Sequence, residues 1–178
     1  PNADQINQFY VFNTGESAKV QTKVKLTYDE NILKVTYICD EPDMRQHKAT
    51  AIPGTGRDNS AIFDDDCIRL LIFDPVRNYG WQIAANSLGA TYDGQLRQTQ
   101  AGDPYKIKAE WNGEWYTNAR KVANQWEIDF VIPWRTLGFD SIPRTPLRLN
   151  FVRERKNTPE TSMWNAYVGD YNNVEKFA

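Results

Sequence analysis

Apolar and polar residues alternate through most of this chain, and that period of two limits what it can fold into. In KVQTKVKLTY (residues 19–28) the apolar side chains fall on one face and the lysines on the other. This is the pattern of a β-strand with one buried and one solvated face. The turn DEN (29–31) leads into ILKVTYIC (32–39), where the alternation resumes. The two segments therefore predict an antiparallel hairpin.

Seven more segments read as strands, whereas helical periodicity is nearly absent. Only PWRTLGF (133–139) resembles a helical turn, with Pro133 at its start and Gly138 at its end. The dipeptides at 112–113 (Asn-Gly) and 123–124 (Ala-Asn) predict tight turns between neighbouring strands. The further strand segments are 67–74, 79–86, 104–111, 114–122, 125–132, 147–154 and 162–168.

Many short strands without interleaved helices predict an all-β fold. We expect an antiparallel β-sandwich, jelly-roll or immunoglobulin-like, with at most one short helix. At 178 residues the chain fits a single domain, 1–178. It begins at Pro1 without a methionine, so we expect a processed protein or a piece of a longer one, with catalytic or other domains linked to it.

Charge and hydropathy argue against two classes of partner. The formal net charge is −2 and the pI is near 5.5, which gives no electrostatic reason to expect binding to nucleic acid. No apolar run approaches the roughly 18 residues of a membrane-spanning helix, so we expect no membrane span.

The two cysteines form neither a metal-binding spacing nor a disulfide framework. Cys39 and Cys67 each lie at the end of an apolar run, which could make them neighbours across a sheet. Two interpretations stay open, a pair of small buried thiols or one disulfide bond. Either suits an extracellular or periplasmic protein.

Catalysis finds little support in the sequence. The one histidine, His47, lies in the polar segment 43–60, which reads as a long loop, and we expect its ring to be solvated. No serine or cysteine motif surrounds it, so a nucleophilic triad is poorly supported. Paired carboxylates could hydrolyse glycosides, but an abundance of acidic residues is not a pattern. We therefore expect a protein that is not an enzyme.

Three consecutive aspartates precede a buried strand in FDDDCIRLLIFDP (63–75). They could cap the loop by accepting backbone N–H groups where the chain enters the sheet. With Asp40 they could instead gather oxygen ligands for calcium, or one of them could hydrogen-bond a ligand at the rim of the sheet. The candidate metal ligands are Asp40, Asp64, Asp65 and Asp66.

Aromatic residues give a second signal. The six tryptophans exceed what one sandwich core needs, and sugars stack their C–H faces on such rings. Trp126 and Trp81 alternate with apolar residues, which predicts burial in the core. Phe63 and Tyr171 have no periodic reason for burial, so they are the more informative candidates.

Several segments together resemble family 9 carbohydrate-binding modules and the wider DOMON-like group. In order they are VKLTYDENILKVTYICDEP, FDDDCIRLLIFDP, YGWQIAANSLGATYDG, WEIDFVIPWRTLGF, LRLNFVRER, SMWNAYVG and VEKFA. The resemblance runs from about residue 19 to the end. It implies a β-sandwich that binds carbohydrate, often beside a polysaccharide-degrading enzyme, and frequently a structural calcium ion.

The resemblance also implies a binding site. Modules of this family hold a sugar between two tryptophans, and the matching positions here are Phe63 and Tyr171. The matched strand asparagine is Asn86, whereas the position of a ligand-binding glutamate is Arg69. Two further ligand-contacting positions of the family are Ala84 and Val152 in this chain. The candidate carbohydrate-binding residues are Phe63, Arg69, Asn86, Trp164 and Tyr171.

Two other functions stay open at this point. DOMON-like sandwiches include haem-binding electron-transfer members, for which Met44, Met163, His47 or a lysine would supply axial ligands. The departures at Arg69, Ala84 and Val152 also allow a structural or protein-interaction domain whose sugar site has decayed.

Overall fold

A computed structural model describes residues 2–54 and 58–178, with side chains considered from residue 4 onward. Two antiparallel β-sheets pack face to face, as the alternation predicts. The strands are β1 Asn2–Ile6, β2 Tyr10–Val11, β3 Thr22–Tyr28, β4 Ile32–Asp40, β5 Cys67–Asp74, β6 Tyr79–Asn86, β7 Thr91–Arg97, β8 Lys106–Lys108, β9 Tyr116–Val122, β10 Gln125–Pro133, β11 Arg148–Arg155 and β12 Glu160–Met163. Three short 3₁₀ turns join them, η1 Ser60–Asp64, η2 Trp134–Leu137 and η3 Val174–Lys176.

One sheet has five strands in the order β1-β3-β4-β10-β9, and the other has seven in the order β2-β12-β11-β5-β6-β7-β8. In the smaller sheet, strand β4 pairs with β3 through the predicted 29–31 turn, where the Asp29 carboxylate accepts from the N–H groups of Asn31 and Ile32. In the larger sheet, β5 lies in the middle between β11 and β6. Residues of β5 therefore contribute both to the core between the sheets and to the packing on the outward face of this sheet.

The main core lies between the two sheets and follows the period of two. Ile68, Leu70 and Ile72 of β5 point inward, where they join residues such as Tyr37 and Trp126 from the five-stranded sheet. Trp81 is also buried there, as its alternation predicts. Burial of such side chains contributes about 1.5–3 kcal/mol each, which makes this layer the main source of stability.

The outward face of the seven-stranded sheet is also covered, by two smaller clusters. Leu71 and Phe73 of β5 pack under the C-terminal segment around Val174 and Phe177. Farther along, Ala84 packs under the loop that carries η1. Because both faces of β5 are covered, its apolar run is nearly continuous, and Arg69 lies on the outward face between the two clusters.

The structure confirms most predicted strands and corrects two features. Segments 104–111 and 114–122 do not form a hairpin, because β8 belongs to the seven-stranded sheet and β9 to the five-stranded one. The segment 162–168 contributes only its first residues to a strand, since β12 ends at Met163. The helical turn predicted at 133–139 is confirmed as η2, with Gly138 following it at φ of 74°.

Strand β7 was not predicted, because its sequence TYDGQLR contains residues that are poor strand formers. The structure explains why two of these residues, Asp93 and Gly94, occur in the strand. Asp93 accepts a hydrogen bond from the Trp115 indole at 2.6 Å, which ties β7 to the segment crossing to the other sheet. A Cβ at Gly94 would lie 2.6 Å from the Ile107 side chain, so only glycine lets β8 approach this closely.

Cys39 and Cys67 are both buried free thiols, so the disulfide alternative is wrong for this structure. Cys39 faces the core between the sheets, whereas Cys67 shares the outward face of Arg69. Burial raises the pKa of each thiol to about 12, which keeps both protonated and unreactive at neutral pH. No helix among the described residues has the length and apolar character needed to cross a membrane.

Candidate functional site

Three of the predicted site residues meet on the outward face of the seven-stranded sheet. The guanidinium carbon of Arg69 lies over the ring of Phe63, 4.2 Å from its centroid, and over the ring of Tyr171, 5.2 Å from its centroid. All three side chains are partly exposed. We call Phe63, Arg69 and Tyr171 the ring–guanidinium stack. The three residues come from separate parts of the chain, so only the fold brings them together.

Turn η1 positions Phe63. The side chain of Asn59 caps the turn by accepting from the Ala61 N–H at 3.2 Å, and the Asp65 N–H closes it on the Ile62 carbonyl at 3.1 Å. Ile62 is fully buried and packs with Ala84 under the loop. Because its neighbour in the turn is anchored in this way, the Phe63 ring is held half-exposed at the surface.

The C-terminal segment positions Tyr171. The Tyr167 hydroxyl donates to the Tyr171 carbonyl at 2.6 Å, and the Phe12 ring meets the Tyr171 ring edge to face at 5.7 Å. Farther along, Ala178 and Leu149 exchange two backbone hydrogen bonds, which pin the chain end to β11. Burial raises the pKa of the Tyr171 phenol well above its usual value, so the hydroxyl remains neutral.

Arg69 is the centre of the stack. Its flanking residues on the neighbouring strands are Ala84 and Val152, neither of which can hydrogen-bond, so the guanidinium finds its partner farther away in Glu154. Arg69 donates from Nη2 to a carboxylate oxygen of Glu154, and its side chain stays 17% exposed. The resemblance led us to expect an open slot between two rings, whereas the guanidinium lies over both.

Tyr92 extends the aromatic surface and was missed at the sequence level. It lies across from Ala84 in the register of β6 and β7, and its ring meets Phe63 edge to face with centroids 4.8 Å apart. Its signal was hidden because strand β7 itself was not predicted. Once β7 is placed, its alternation puts Tyr92 on the same face as Arg69.

Three polar atoms on this face have no hydrogen-bond partner among residues 2–54 and 58–178. They are Nε of Arg69, the hydroxyl of Tyr171 and Oε1 of Gln82. Gln82 is 2% exposed and lies two residues before Ala84 on the same face of β6. Leaving a buried polar atom unpaired typically costs about 1–3 kcal/mol. Such atoms are rare in native proteins and mark places where a ligand or water completes the structure.

The structure does not bring Asn86 or Trp164 to this surface. Asn86 is fully buried, and its amide is fully engaged, since it donates to the Ala51 carbonyl and to Asp65 and accepts from the N–H groups of Leu88 and Ala90. Trp164 packs on the opposite side of the sheet against Phe151, at the margin of the main core. We therefore remove both from the candidate site.

The four aspartates have different partners in the structure, and a calcium site at these residues stays a prediction. Asp64 is exposed, and Asp40 accepts from the Gln125 side chain at 2.7 Å. Asp65 accepts from the N–H groups of Thr50 and Ala51 at 2.9 and 2.8 Å, and also from Asn86. Burial by itself would raise the pKa of Asp65. The hydrogen bonds from the N–H groups of Ala51 and Thr50 have the larger combined effect, so the pKa of Asp65 is lowered. The loop-capping interpretation fits Asp65 best.

Asp66 belongs to a different network that includes the histidine. His47 is not solvated, because its side chain is 2% exposed and its ring lies 5.3 Å from the Trp126 ring between centroids, tilted by 44°. Its Nδ1 lies 3.1 Å from Asp66 and its Nε2 lies 2.6 Å from the Ser87 hydroxyl. Ser87, His47 and Asp66 follow the order of a Ser-His-Asp triad, and all three side chains are almost fully buried. We interpret these contacts as holding the loop around His47 on the sheet.

Glu41 joins His47 and Asp66 in a group whose ligand atoms lie within 4.8 Å of one another. Arg153 and Arg155 both pair with Glu41, at 3.1 and 2.9 Å. Two guanidinium groups thus balance the two carboxylates of Glu41 and Asp66. Charge balance of this kind fits a structural network.

Two of the candidate haem ligands, His47 and Met163, are engaged in other contacts. Both ring nitrogens of His47 are engaged, and Met163 is fully buried beneath the C-terminal segment, where its sulfur lies 3.7 Å from the Asn150 amide. Met44 lies in the loop that His47 anchors.

We expect calcium to have little effect on stability, since protein donors already satisfy the buried aspartates. The melting temperature should change by less than about 1 °C between millimolar calcium and millimolar chelator, because only a ligand that prefers the folded state raises it. Differential scanning fluorimetry measures this directly, with magnesium as the control ion. A calcium-specific rise of several degrees would contradict this expectation and support the calcium site that the sequence predicts.

The two packed sheets and their strand order define the class of the fold, which is that of family 9 carbohydrate-binding modules. A protein from Bacteroides uniformis, provisionally described as carbohydrate-binding, shares the fold with a TM-score of 0.77 at 13% identity, over 98% of this chain and 84% of that one. No family model matches the sequence, and no curated protein matches it.

Two structures of a family 9 module from Caldicellulosiruptor kristjanssonii share the fold as well. The complex with cellotriose gives a TM-score of 0.60 at 15% identity, over 99% of this chain and 80% of that one. The complex with glucose gives a TM-score of 0.55 at 14% identity, over 97% and 82%. At these identities the comparisons establish the fold, and the function must be argued from the site.

Proposed function

We propose that this chain is a non-catalytic carbohydrate-binding module whose ligand binds at the ring–guanidinium stack. The observation that carries the proposal is the meeting of Phe63, Arg69 and Tyr171 at one partly exposed point on a sheet face that is otherwise covered. The similar modules from Caldicellulosiruptor kristjanssonii were solved with glucose and with cellotriose, which supports a sugar as the ligand.

The chemistry of the stack suits a sugar. Half-exposed aromatic rings offer apolar faces to C–H groups, and a guanidinium fixes orientation through hydrogen bonds to oxygen. Because Arg69 lies over both rings, the ligand meets the exposed edge of the stack rather than entering an empty slot. A sugar therefore contacts Phe63 and Tyr92 on one side and the guanidinium at the centre.

We further propose that the module serves polysaccharide degradation or uptake outside the cell or in the periplasm, joined to catalytic or other domains. The proposed location is supported by the chemistry of the ligand, because a polysaccharide is too large to be imported intact and must be bound outside the cytoplasm. Affinity for polymers over monosaccharides would be the expected behaviour of such an accessory module.

Substitution of Phe63 tests the proposed function. We expect Phe63→Ala to weaken binding of the tightest carbohydrate ligand about tenfold, which corresponds to about 1.4 kcal/mol, because one aromatic contact face is lost. The matched control is Tyr116→Ala. Tyr116 is 65% exposed on the other sheet, so its loss should leave affinity unchanged.

Isothermal titration calorimetry against a panel of mono-, oligo- and polysaccharides measures both variants. The melting temperature without ligand separates lost binding from lost folding. If wild-type protein binds no carbohydrate in the panel, the proposed function fails and a structural or protein-interaction role takes its place. Equal affinity of Phe63→Ala and wild type would place the ligand elsewhere on the molecule.

A further inference from the structure

The centre of the stack carries an excess of positive charge. Arg69 and Lys156 both pair with Glu154, one on each of its carboxylate oxygens. Within the described residues neither cation has a second ion pair, so two positive charges face one negative charge. Arg153 and Arg155 both pair with Glu41, so these two cations equal in number the nearby carboxylates of Glu41 and Asp66 and leave this balance unchanged.

Arg69 keeps donors that no described residue uses. It donates from Nη2 to Glu154, its Nε is buried without an acceptor among the described residues, and its side chain stays 17% exposed. The rings of Phe63 and Tyr171 pack against the guanidinium and limit its movement. A planar guanidinium held in one orientation matches a carboxylate, which accepts two parallel N–H donors, better than it matches a single hydroxyl.

Lys156 can act on the same ligand. Its side chain is 29% exposed and its Nζ lies 2.5 Å from Oε2 of Glu154. The backbone N–H of Lys156 donates to Asp66 at 2.8 Å, so the residue is held at the end of β11. Two partly exposed cations therefore lie on the two sides of one buried carboxylate.

We propose that this site selects an acidic sugar, with the carboxylate of a uronic acid bound by Arg69 and attracted by Lys156. The inference rests on the proposed function and narrows it. A neutral sugar gains little from the excess positive charge, whereas a uronate gains a charge-assisted hydrogen bond.

Matched polysaccharides test the inference. Galacturonan, alginate, glucuronoxylan and hyaluronan are each compared with their carboxyl-reduced forms, which keep the linkage and lose the charge. We expect wild-type protein to bind at least one acidic polymer at least tenfold more tightly than its reduced form. That affinity should fall as sodium chloride rises, because salt screens partly exposed charges.

Three variants complete the experiment. Arg69→Gln and Lys156→Gln should each lose at least about threefold in affinity for the acidic polymer and little for any neutral one. Lys156→Gln keeps the test valid if Arg69→Gln folds poorly. Arg135→Gln is the control, since its side chain is 74% exposed and pairs only distantly, at 4.0 Å, with Glu114.

The outcomes separate the two proposals. Equal binding to acidic and carboxyl-reduced polymers, or tighter binding to neutral ones, would overturn the acidic-sugar inference and leave carbohydrate binding intact. Binding to no polysaccharide at all would overturn carbohydrate binding, and the inference with it.

Discussion

Arg153→Met is expected to destabilise the protein by about 3–5 kcal/mol, because it leaves the buried Glu41 with half its partners. Arg153 has no exposed surface and joins the two sheets. From β11 it donates to the Asp40 carbonyl at 2.7 Å, to Glu41 at 3.1 Å and to the Thr22 hydroxyl at 3.3 Å. Methionine fills a similar volume but provides none of these donors.

Urea unfolding monitored by tryptophan fluorescence measures the change in the free energy of unfolding. The matched control is Arg45→Met, whose side chain is 89% exposed and should change stability by less than about 0.5 kcal/mol. A double-mutant cycle adds a sharper test. Glu41→Gln should cost less in the Arg153→Met background than in wild type, because the paired charge is already unbalanced. An effect of Arg153→Met below about 1 kcal/mol would contradict the assigned role.

Asp65→Asn is expected to destabilise the protein by about 2–4 kcal/mol at pH 7. The buried carboxylate accepts four hydrogen bonds, two from backbone N–H groups, one from the Thr50 hydroxyl and one from Asn86. An asparagine amide points two donors at these donors, and each buried group left unpaired costs about 1–3 kcal/mol. The loop that carries Phe63 should loosen with it.

The effect of Asp65→Asn should depend on pH. Folding lowers the pKa of Asp65, so its ionised form stabilises the folded state above the unfolded pKa of about 3.9 and that contribution is lost as pH falls through the folded pKa. The difference between wild type and Asp65→Asn should be constant from pH 5 to 7 and shrink below about pH 4.

Chemical denaturation from pH 2.5 to 7 gives this profile. Asp64→Asn is the control, since Asp64 is the exposed neighbour and should change stability by less than about 0.5 kcal/mol at every pH. If the two substitutions behave alike, the loop-capping role of Asp65 is wrong.

Alternation alone predicted the sandwich, because most strands bury one face against a single core. Alternation failed to predict strands whose residues are set by a specific contact and not by burial of one face. Strand β7 carries Asp93 and Gly94, which a pattern of hydrophobicity reads as a loop, yet the Trp115 indole and the close approach of Ile107 require them. The expected hairpin at 112–113 failed because a tight turn signal does not say which sheet the next strand joins.

The site was predictable only in part, since it depends on contacts between distant segments. The absence of periodic burial correctly singled out Phe63 and Tyr171 as partly exposed rings. No local pattern could show that Arg69 lies over both rings. Nor could it show that the buried Asn86 amide is fully hydrogen-bonded, or that the aspartates have different partners. The solvated interpretation of His47 failed for the same reason, because Asp66 and Ser87 reach it only in the folded chain.

The most direct test of the account is to follow backbone amide chemical shifts by NMR while the tightest-binding carbohydrate is titrated to saturation. The account predicts that the largest shifts cluster around residues 63–69, Tyr92 and Tyr171, and that the exposed face around Tyr116 is unaffected. Shifts centred on the five-stranded sheet, or spread without a cluster, would contradict a carbohydrate site at the ring–guanidinium stack.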